Sequence, residues 1–285
     1  MWPERFLSGD RDHAATGLLW DAAERRRMMG QGKLDGRVAI VTGAAAGIGQ
    51  AAAIALAAEG ADVTLADVAD CGDTARRITE LGRRTLAVKC DVSNGAEVRS
   101  MVDQTLEAFG RLDCAFNNAG TAGVADQVVH EADEDDWDDV LATNLKGVWL
   151  CMKYQLPPML AQGHGSIVNG ASAASMIGIA NNGAYIASKH GIIGITKTAA
   201  LEYAAQGVRV NALCPGPTRT AMMARFLPAL PDGVPVDESV YANMVPIGRM
   251  ADPAEIAHSV VWLCTDDSTY MTGHAFVIDG GLLSR

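Results

Sequence analysis

Three side chains in the middle of the chain have the types and spacing of a proton-transfer group: Ser172, Tyr185 and Lys189. Residues four apart lie on one face of a helix, so the phenol of Tyr185 and the ammonium of Lys189 can reach one site. A lysine charge about 4 Å away is strong enough to lower a tyrosine pKa of ~10 by roughly three units. Ser172 could then hold the oxygen of an alcohol or a carbonyl while Tyr185 exchanges its proton.

The pair of Tyr185 and Lys189 alone is also compatible with an ordinary solvated helix face. Independent support comes from a glycine-rich segment near the start of the chain. Residues 37–42 predict a short buried strand, residues 43–49 form a glycine-rich turn, and the alanine-rich residues 50–59 predict a helix that stops at Gly60. Strand, glycine turn and helix is the order in which a pyrophosphate is bound at a helix N-terminus.

Asp67 ends a second predicted strand, about twenty residues beyond the glycines. A carboxylate at this place can accept hydrogen bonds from the adenosine ribose of a dinucleotide, and it would repel a 2′-phosphate. The glycine turn carries no Arg or Lys that could pair such a phosphate. The sequence therefore predicts NAD rather than NADP as cofactor, the alternative being that Asp67 is a turn residue at a strand end.

The order of apolar segments predicts the fold. Strands are expected near 37–42, 62–67, 85–90, 112–116, 164–171, 207–213 and 274–279, with helices between them. This alternation is typical of an α/β protein with a Rossmann-type, doubly wound, parallel seven-stranded sheet covered by helices on both faces. At 285 residues and 29.9 kDa, one domain over residues 35–285 is sufficient.

Taken together, these segments resemble the classical short-chain dehydrogenase/reductase family. The resemblance extends from Asp35 to the C-terminus, and it rests on several motifs in the family's order. These are the cofactor motif at 42–49, Asp91-Val92, Asn117-Asn118-Ala119-Gly120, Thr143-Asn144-Leu145, the serine Ser172, Tyr185 with Lys189, Asn211 with Pro215-Gly216, and Asp279-Gly280-Gly281. Ala171 replaces a serine that is common in the family before the catalytic one, and Thr218 replaces an aliphatic residue.

The resemblance implies a set of site residues. Asn144, Ser172, Tyr185 and Lys189 are expected to form a catalytic tetrad, in which Asn144 kinks its helix and Lys189 both binds the nicotinamide ribose and stabilises the tyrosinate. The NAD contacts implied are Gly43, Ala46, Gly47, Ile48, Gly49, Asp67, Asp91, Val92, Asn118, Ala119, Gly120, Tyr185, Lys189, Pro215, Gly216, Thr218 and Thr220. The activity implied is hydride transfer between an alcohol and its ketone, with Tyr185 as general acid and base.

Composition argues against several other classes of protein. The net charge of −11 disfavours a nucleic-acid surface. No metal site is expected, because the histidines are scattered and the acidic run 131–139 fits the first turn of the Asn144 helix. Six cysteines in apolar contexts indicate a reduced, cytoplasmic protein, and no apolar run is long enough to span a membrane. Trp149 and Trp262 are expected in the core or in an interface.

Two segments are less well defined by the sequence. Residues 1–34 match nothing in the family and lack the apolar segment of a signal peptide; we expect a mobile arm, a start at Met28 or Met29, or an arm that packs on a neighbouring subunit. Residues 217–249 predict a substrate loop and lid, whose apolar side chains favour a hydrophobic or cyclic secondary alcohol or ketone, although they could equally pack a long loop. The apolar members are Met222, Met223, Phe226, Leu227, Leu230, Val234, Tyr241 and Met244.

Residues 114–118 and 151–155 resemble NAD-dependent cyclic alcohol and diol dehydrogenases of the family. Two alternatives remain at this point: a 3-oxoacyl-[acyl-carrier-protein] reductase, and a non-catalytic NAD-binding scaffold. The acidic balance and Asp67 argue against the first, and the complete tetrad argues against the second. The resemblance also implies a homo-oligomer, a dimer or a tetramer, associated through the helices that carry Asn144 and Tyr185.

Overall fold

The computed structural model describes residues 32–124, 126–225 and 239–284. The expected N-terminal arm up to residue 31, with Met28 and Met29, lies outside the described residues, as do Phe226, Leu227, Leu230, Val234 and the side chain of Tyr241.

Seven strands alternate with helices along the described chain. The strands are β1 Val38–Thr42, β2 Asp62–Asp67, β3 Thr85–Lys89, β4 Cys114–Asn117, β5 Gly165–Gly170, β6 Val208–Pro215 and β7 Ala275–Ile278. The helices are α1 Gly47–Ala58, α2 Gly72–Glu80, α3 Gly95–Phe109, α4 Glu134–Leu141, α5 Gly147–Gln162, α6 Gly183–Tyr203, α7 Ala221–Arg225, α8 Ser239–Ala242 and α9 Pro253–Cys264. A π-helical turn, Ala142–Lys146, joins α4 to α5.

The strands form one parallel sheet in the order β3-β2-β1-β4-β5-β6-β7, which confirms the predicted fold class. Each strand end lies within two residues of its predicted position, for example 38–42 against 37–42. The strand order reverses between β1 and β4. In such sheets a crevice opens at the carboxyl ends of the strands at this reversal, and ligands bind there.

Each face of the sheet has its own hydrophobic core. One face packs α3, α5 and α6 on the sheet, around Ile40, Met101, Met159 and Ile192. The other face packs α1, α2 and α9, around Val41, Leu56, Ile78 and Val260. Central strands are buried on both sides, which explains why β1 reads as an uninterrupted apolar run. The two layers fix the strand ends that carry the site.

The two tryptophans that were expected in the core or in an interface are in different environments. Trp149 on α5 is 47% exposed, with Lys153 Nζ 5.2 Å from its ring, so it is not a core residue of this chain. Trp262 on α9 is half-buried and stacks on Phe276, with ring centroids 5.5 Å apart.

Candidate active site

The glycine-rich turn lies at the carboxyl end of β1, in the crevice of the sheet. Gly43 and Gly47 have φ angles of +67° and +58°, a region that side-chain-bearing residues rarely adopt. A Cβ on Gly49 would lie 1.9 Å from Gly43 O, so the first turn of α1 packs directly on the backbone before it. The N-cap of α1, Ala46, supplies no side-chain cap. The first amides of α1, which include Ile48, therefore remain available to a phosphate.

Substituting Gly49 with alanine should disrupt this cradle. The added methyl group cannot fit against the backbone of Gly43, so the turn must move away from its present position. We expect the affinity for the dinucleotide to fall by at least ~10-fold, measured by calorimetric titration.

The matched control is Gly194→Ala, because nothing lies within 4 Å of the Cβ that would be added at Gly194 on α6. Equal dinucleotide affinity in Gly49→Ala and Gly194→Ala would contradict this account of the glycine turn.

Two carboxylates border the crevice on the side of β2 and β3. Asp67 Oδ2 accepts a hydrogen bond from Ala45 N at 3.0 Å, which fixes the acid against the glycine turn. Asp91 Oδ1 accepts from Ser93 N and from Ser93 Oγ at 2.9 and 2.8 Å. Val92 next to it is buried. Asp67 and the segment of Asp91 therefore flank the place expected for the adenosine.

Residues 118–120 form the opposite wall, after β4. Thr42 Oγ1 accepts hydrogen bonds from Asn118 N and from Ala119 N, at 2.9 and 3.0 Å. A Cβ on Gly120 would lie 3.0 Å from Asn144 Oδ1 and 3.7 Å from Lys189 Nζ. This wall thus connects the glycine turn to the tetrad. The sequence motif included Thr42 but did not reveal its hydroxyl as the anchor of this wall.

Residues 215–220 approach the glycine turn from β6. Gly216 N donates to Ile278 O at 2.8 Å, and a Cβ on Gly216 would lie 2.7 Å from Asp279 Cα, which explains the glycine after Pro215. Thr218 is buried, and its hydroxyl donates to Gly216 O at 2.9 Å. Thr220 Cγ2 lies 3.2 Å from the Cβ position of Gly47. The glycine turn, residues 118–120 and residues 215–220 therefore meet around one crevice.

The structure brings Ser172, Tyr185 and Lys189 together at the edge of this crevice. Ser172 follows β5 in an extended conformation, and a hydrogen bond joins its side chain to that of Tyr185. Tyr185 lies in the first turn of α6, and Lys189 follows one turn later. The buried Lys189 Nζ donates to Gly170 O at 2.8 Å and lies 5.6 Å from the centre of the Tyr185 ring.

The electrostatics of the pair differ from the sequence-based expectation. Burial raises the pKa of Tyr185, and the hydrogen bond with Ser172 opposes that shift. Burial also lowers the pKa of Lys189 to about 8. The expected lowering of the tyrosine pKa by a nearby lysine is therefore not the dominant effect in the chain alone, because the ammonium is directed at Gly170 O and both groups are removed from water.

Asn144 is fully buried in the π turn, where an additional residue widens the helix. Its side chain clamps the segment after Gly120: Oδ1 accepts from Thr121 N at 2.8 Å, and Nδ2 donates to Thr121 O at 2.9 Å. Nδ2 also lies 3.2 Å from Ser188 Oγ, which donates to Tyr185 O. Asn144 is thus linked to the tyrosine helix through Ser188, a residue that the motifs did not indicate.

A pocket opens beside Tyr185 between the segments 122–137 and 181–185. Its lining is mixed, with Val124 and Trp137 on the apolar side and Gln127, Asp136 and Asn182 on the polar side. Of the expected lid, the described Met222 and Met223 are half-buried, and Met244 is 47% exposed.

In the described part of the chain, no group of three or more His, Cys, Asp or Glu could hold a metal ion. None of the described helices combines the length and the apolar character that crossing a lipid bilayer requires. All six cysteines are buried with free thiols.

The chain is similar in sequence and in structure to known oxidoreductases. The family model described as enoyl-(acyl carrier protein) reductase matches residues 43–283. Cyclohexanol dehydrogenase of an Acinetobacter species is 37% identical over 255 residues, which cover 89% of this chain and 97% of the relative. The 2,5-dichloro-2,5-cyclohexadiene-1,4-diol dehydrogenase of Sphingobium indicum is 39% identical over 251 residues, 87% of this chain and 97% of the relative.

Among solved structures, carveol dehydrogenase from Mycobacterium avium in complex with NAD superposes with a TM-score of 0.85 at 32% identity, covering 89% of this chain and all of the other. The sequence motifs come together around one crevice, and the structural similarity extends over 89% of this chain. The chain belongs to the classical short-chain dehydrogenase/reductase family, and it is an oxidoreductase that acts on alcohols.

Proposed function

We propose that the protein is an NAD-dependent dehydrogenase that interconverts a hydrophobic, cyclic secondary alcohol and its ketone. The observation that carries the proposal is the hydrogen bond between Ser172 and Tyr185, with Lys189 one helical turn away, at the edge of a glycine-lined crevice. A proton-transfer group next to a dinucleotide cradle is what alcohol oxidation requires.

The roles of the four residues follow from their contacts. Ser172 holds the substrate oxygen, and Tyr185 removes its proton in the oxidation direction and returns it in the reduction direction. Lys189, whose pKa of about 8 leaves it largely charged at neutral pH, stabilises the negative charge that develops on Tyr185. Asn144 keeps the segment after Gly120 and the helix of Tyr185 in fixed positions through Thr121 and Ser188.

The residues of the crevice fit a dinucleotide. The backbone at Gly43 and Gly49 packs too closely for side chains, and this packing holds the uncapped first amides of α1 in place for a pyrophosphate. Asp67 would accept from the adenosine ribose, Asp91 and Val92 would border the adenine, and Asn118 to Gly120 with 215–220 would enclose the nicotinamide end. Bound NAD would supply the hydride acceptor.

Two observations support this substrate class: the apolar residues beside Tyr185 and the named relatives. Val124 and Trp137 place apolar side chains next to Tyr185. The relatives named above are a cyclohexanol and a cyclohexadienediol dehydrogenase. A carrier-protein-bound acyl substrate is disfavoured, since an acidic carrier would meet a chain with a net charge of −11.

The test is a panel of cyclic and open-chain secondary alcohols and ketones, followed by NADH absorbance. We expect cyclic alcohols to give the highest kcat/KM. An enzyme that turns over only acyl thioesters, or none of the alcohols and ketones, would refute the proposed activity.

Asp67 should determine the choice of cofactor. We expect kcat/KM with NAD to exceed that with NADP by more than ~10-fold, because a 2′-phosphate would be placed against a carboxylate. Asp67→Asn removes the charge and keeps an acceptor for Ala45 N, and it should reduce this ratio by about 10-fold. Asp70→Asn, at an exposed acid nearby, is the control. A wild-type preference for NADP would contradict the assignment.

We further propose that the chain works as a cytoplasmic homo-oligomer, a dimer or a tetramer, with residues 35–285 as its single catalytic domain and residues 1–34 as an extension. The exposed Trp149 on α5 supports association through that helix. Buried, unpaired thiols suit a reducing compartment. Light scattering of the full chain measures the number of subunits.

A further inference from the structure

Two residues with a strained backbone bond to each other close to Tyr185. Asn181 and Asp126 are the two non-glycine residues with a positive φ in the described chain, at 63° and 67°. They are more than fifty residues apart in sequence, and Asn181 Nδ2 donates to Asp126 Oδ1 at 2.7 Å. A positive φ is uncommon for residues with a side chain, and it persists where the surrounding contacts impose it. Two such residues in direct contact therefore point to a shared role.

A backbone hydrogen bond joins the same two segments. Gln127 N donates to Asn181 O at 3.1 Å, and Gln127 pairs with Asn182 in an isolated parallel β-bridge. We call the two hydrogen bonds, from Asn181 Nδ2 to Asp126 and from Gln127 N to Asn181 O, the loop clamp. The Gln127 bond uses only backbone atoms, so any residue except proline can donate it. The bond between Asn181 and Asp126 is the part of the loop clamp that depends on side-chain identity.

The segment that carries Asp126 is held at its other end as well. The Asn144 side chain bonds both the N–H and the C=O of Thr121. The Asp136 carboxylate on α4 accepts from Val124 N at 3.0 and 3.2 Å. Asp126 therefore extends from a segment that α4 and the π turn hold in place. Through the loop clamp, this segment holds the chain that leads into α6.

The first turn of α6 needs support from outside the helix. Tyr185 lies in this turn, four residues after Asn181. The N-cap residue, Asn182, makes no side-chain hydrogen bond to the turn, and a helix end without such a cap frays more readily. On the far side of Tyr185, Ser188 bonds Tyr185 O and links the helix to Asn144. The loop clamp supplies the hydrogen bonds on the near side.

We propose that Asp126 and Asn181 are positioning residues, whose side-chain hydrogen bond holds the first turn of α6 so that the Tyr185 hydroxyl stays against Ser172. This inference rests on the proposed function, since it takes Tyr185 as the proton-transfer group. Neither residue has to touch the substrate or the cofactor. Without the bond, the uncapped turn samples more positions, and the fraction of molecules with a productively placed tyrosine falls. Asn and Asp both tolerate a positive φ, so the two side chains can be exchanged without changing the backbone preference.

The test exchanges the two side chains, with kcat measured on the alcohol that the wild type oxidises best. Asn181→Asp sets two carboxylates against each other and should lower kcat by about 10-fold, with a change in KM below ~threefold. Asp126→Asn/Asn181→Asp again sets one amide against one carboxylate, and it should return kcat to within about threefold of the wild type. Asn181→Gly serves if the paired carboxylates prevent folding, because it loses the same bond and accepts a φ of 63°.

A second measurement reports on the turn itself. Amide hydrogen exchange over residues 183–187 should be at least ~10-fold faster in Asn181→Asp and should return to the wild-type rate in Asp126→Asn/Asn181→Asp. The matched control is Gln104→Glu on α3, which also converts an exposed amide donor into a carboxylate and loses its hydrogen bond to Ser100 Oγ. Gln104→Glu should change neither kcat nor the exchange over residues 183–187.

Three results would overturn the positioning role of the pair. These are a kcat of Asn181→Asp equal to that of Gln104→Glu, faster exchange in Asn181→Asp without a fall in kcat, and an Asp126→Asn/Asn181→Asp variant that is no more active than Asn181→Asp. Failure of the proposed function gives a different result. If the wild type oxidises no alcohol, the proposed function fails, and hydrogen exchange alone decides whether the pair holds the first turn of α6.

Discussion

Replacing Tyr185 with phenylalanine is expected to lower kcat by about 100- to 10,000-fold, the usual contribution of a positioned general acid or base. Phenylalanine keeps the ring in its buried place and removes only the hydroxyl that bonds Ser172. Most of the residues expected to contact the dinucleotide lie in other segments, so the Kd for NAD should change little. Stopped-flow measurement of NADH formation, combined with calorimetric titration of NAD, separates the two effects.

The control for this substitution is Tyr203→Phe, at a tyrosine in the last turn of the same helix. It removes the same atom far from the crevice and should leave kcat unchanged. Turnover of Tyr185→Phe within about threefold of the wild type would contradict a proton-transfer role for the tyrosine. A loss of NAD binding together with activity would instead point to a structural role.

Replacing Lys189 with methionine is expected to reduce activity and to stabilise the protein. Activity should fall by at least ~100-fold, since both the charge that supports the developing tyrosinate and the group expected on the nicotinamide ribose are lost. Stability should rise because burial lowers the lysine pKa from 10.5 to about 8, so the folded state binds its proton less well than the unfolded chain does. That difference corresponds to a cost on the order of 3 kcal/mol at neutral pH.

The pH dependence has a defined direction. Below about pH 8 the lysine is charged in both states, and the cost is fully present; as the pH rises from 8 towards 10.5 the folded state releases the proton first, and the cost disappears. The stability gain of Lys189→Met should therefore be largest near pH 7 and small near pH 10. The loss of the hydrogen bond from Lys189 to Gly170 O reduces this gain at both pH values. Urea unfolding at the two pH values measures it.

Lys197→Met provides the control, because Lys197 is exposed on the same helix. It should change neither the activity nor the pH dependence of stability. A Lys189→Met variant that is less stable than the wild type at pH 7 would show that the hydrogen bond to Gly170 O outweighs the cost of burying the charge.

The strands and the glycine turn could be predicted because local sequence determines them. The central strand β1 is buried on both faces, so it reads as a short apolar run, and the turn needs glycine at Gly43 and Gly49 for reasons of space. The predicted first helix began at Gln50, whereas α1 begins at Gly47. Glycine has low helix propensity, and only the packing of the turn places it inside the helix.

The environment of the tetrad could not be predicted in the same way. Spacing indicates that Tyr185 and Lys189 share a helix face. It does not show how deeply the two side chains are buried, nor that the Lys189 ammonium donates to Gly170 O. Both depend on β5 and on the sheet behind it, which are distant in sequence. Asn181, which has a positive φ, is likewise held by a side-chain hydrogen bond to Asp126, a residue more than fifty positions away. Such features follow from tertiary contacts and not from a motif.

The π turn at Ala142–Lys146 has a consequence for the length of this chain. A π turn contains one residue more than an α-helical turn, and one residue corresponds to about 100° of rotation around a helix axis. The π turn therefore rotates the buried face of α5 relative to that of α4, compared with one continuous helix. With this rotation, Val140 before the turn and Leu150 after it are both buried. Removing a single residue here would restore a regular helix but turn one of these side chains towards water. The burial of side chains on both sides of the π turn thus constrains the number of residues in the segment from α4 to α5.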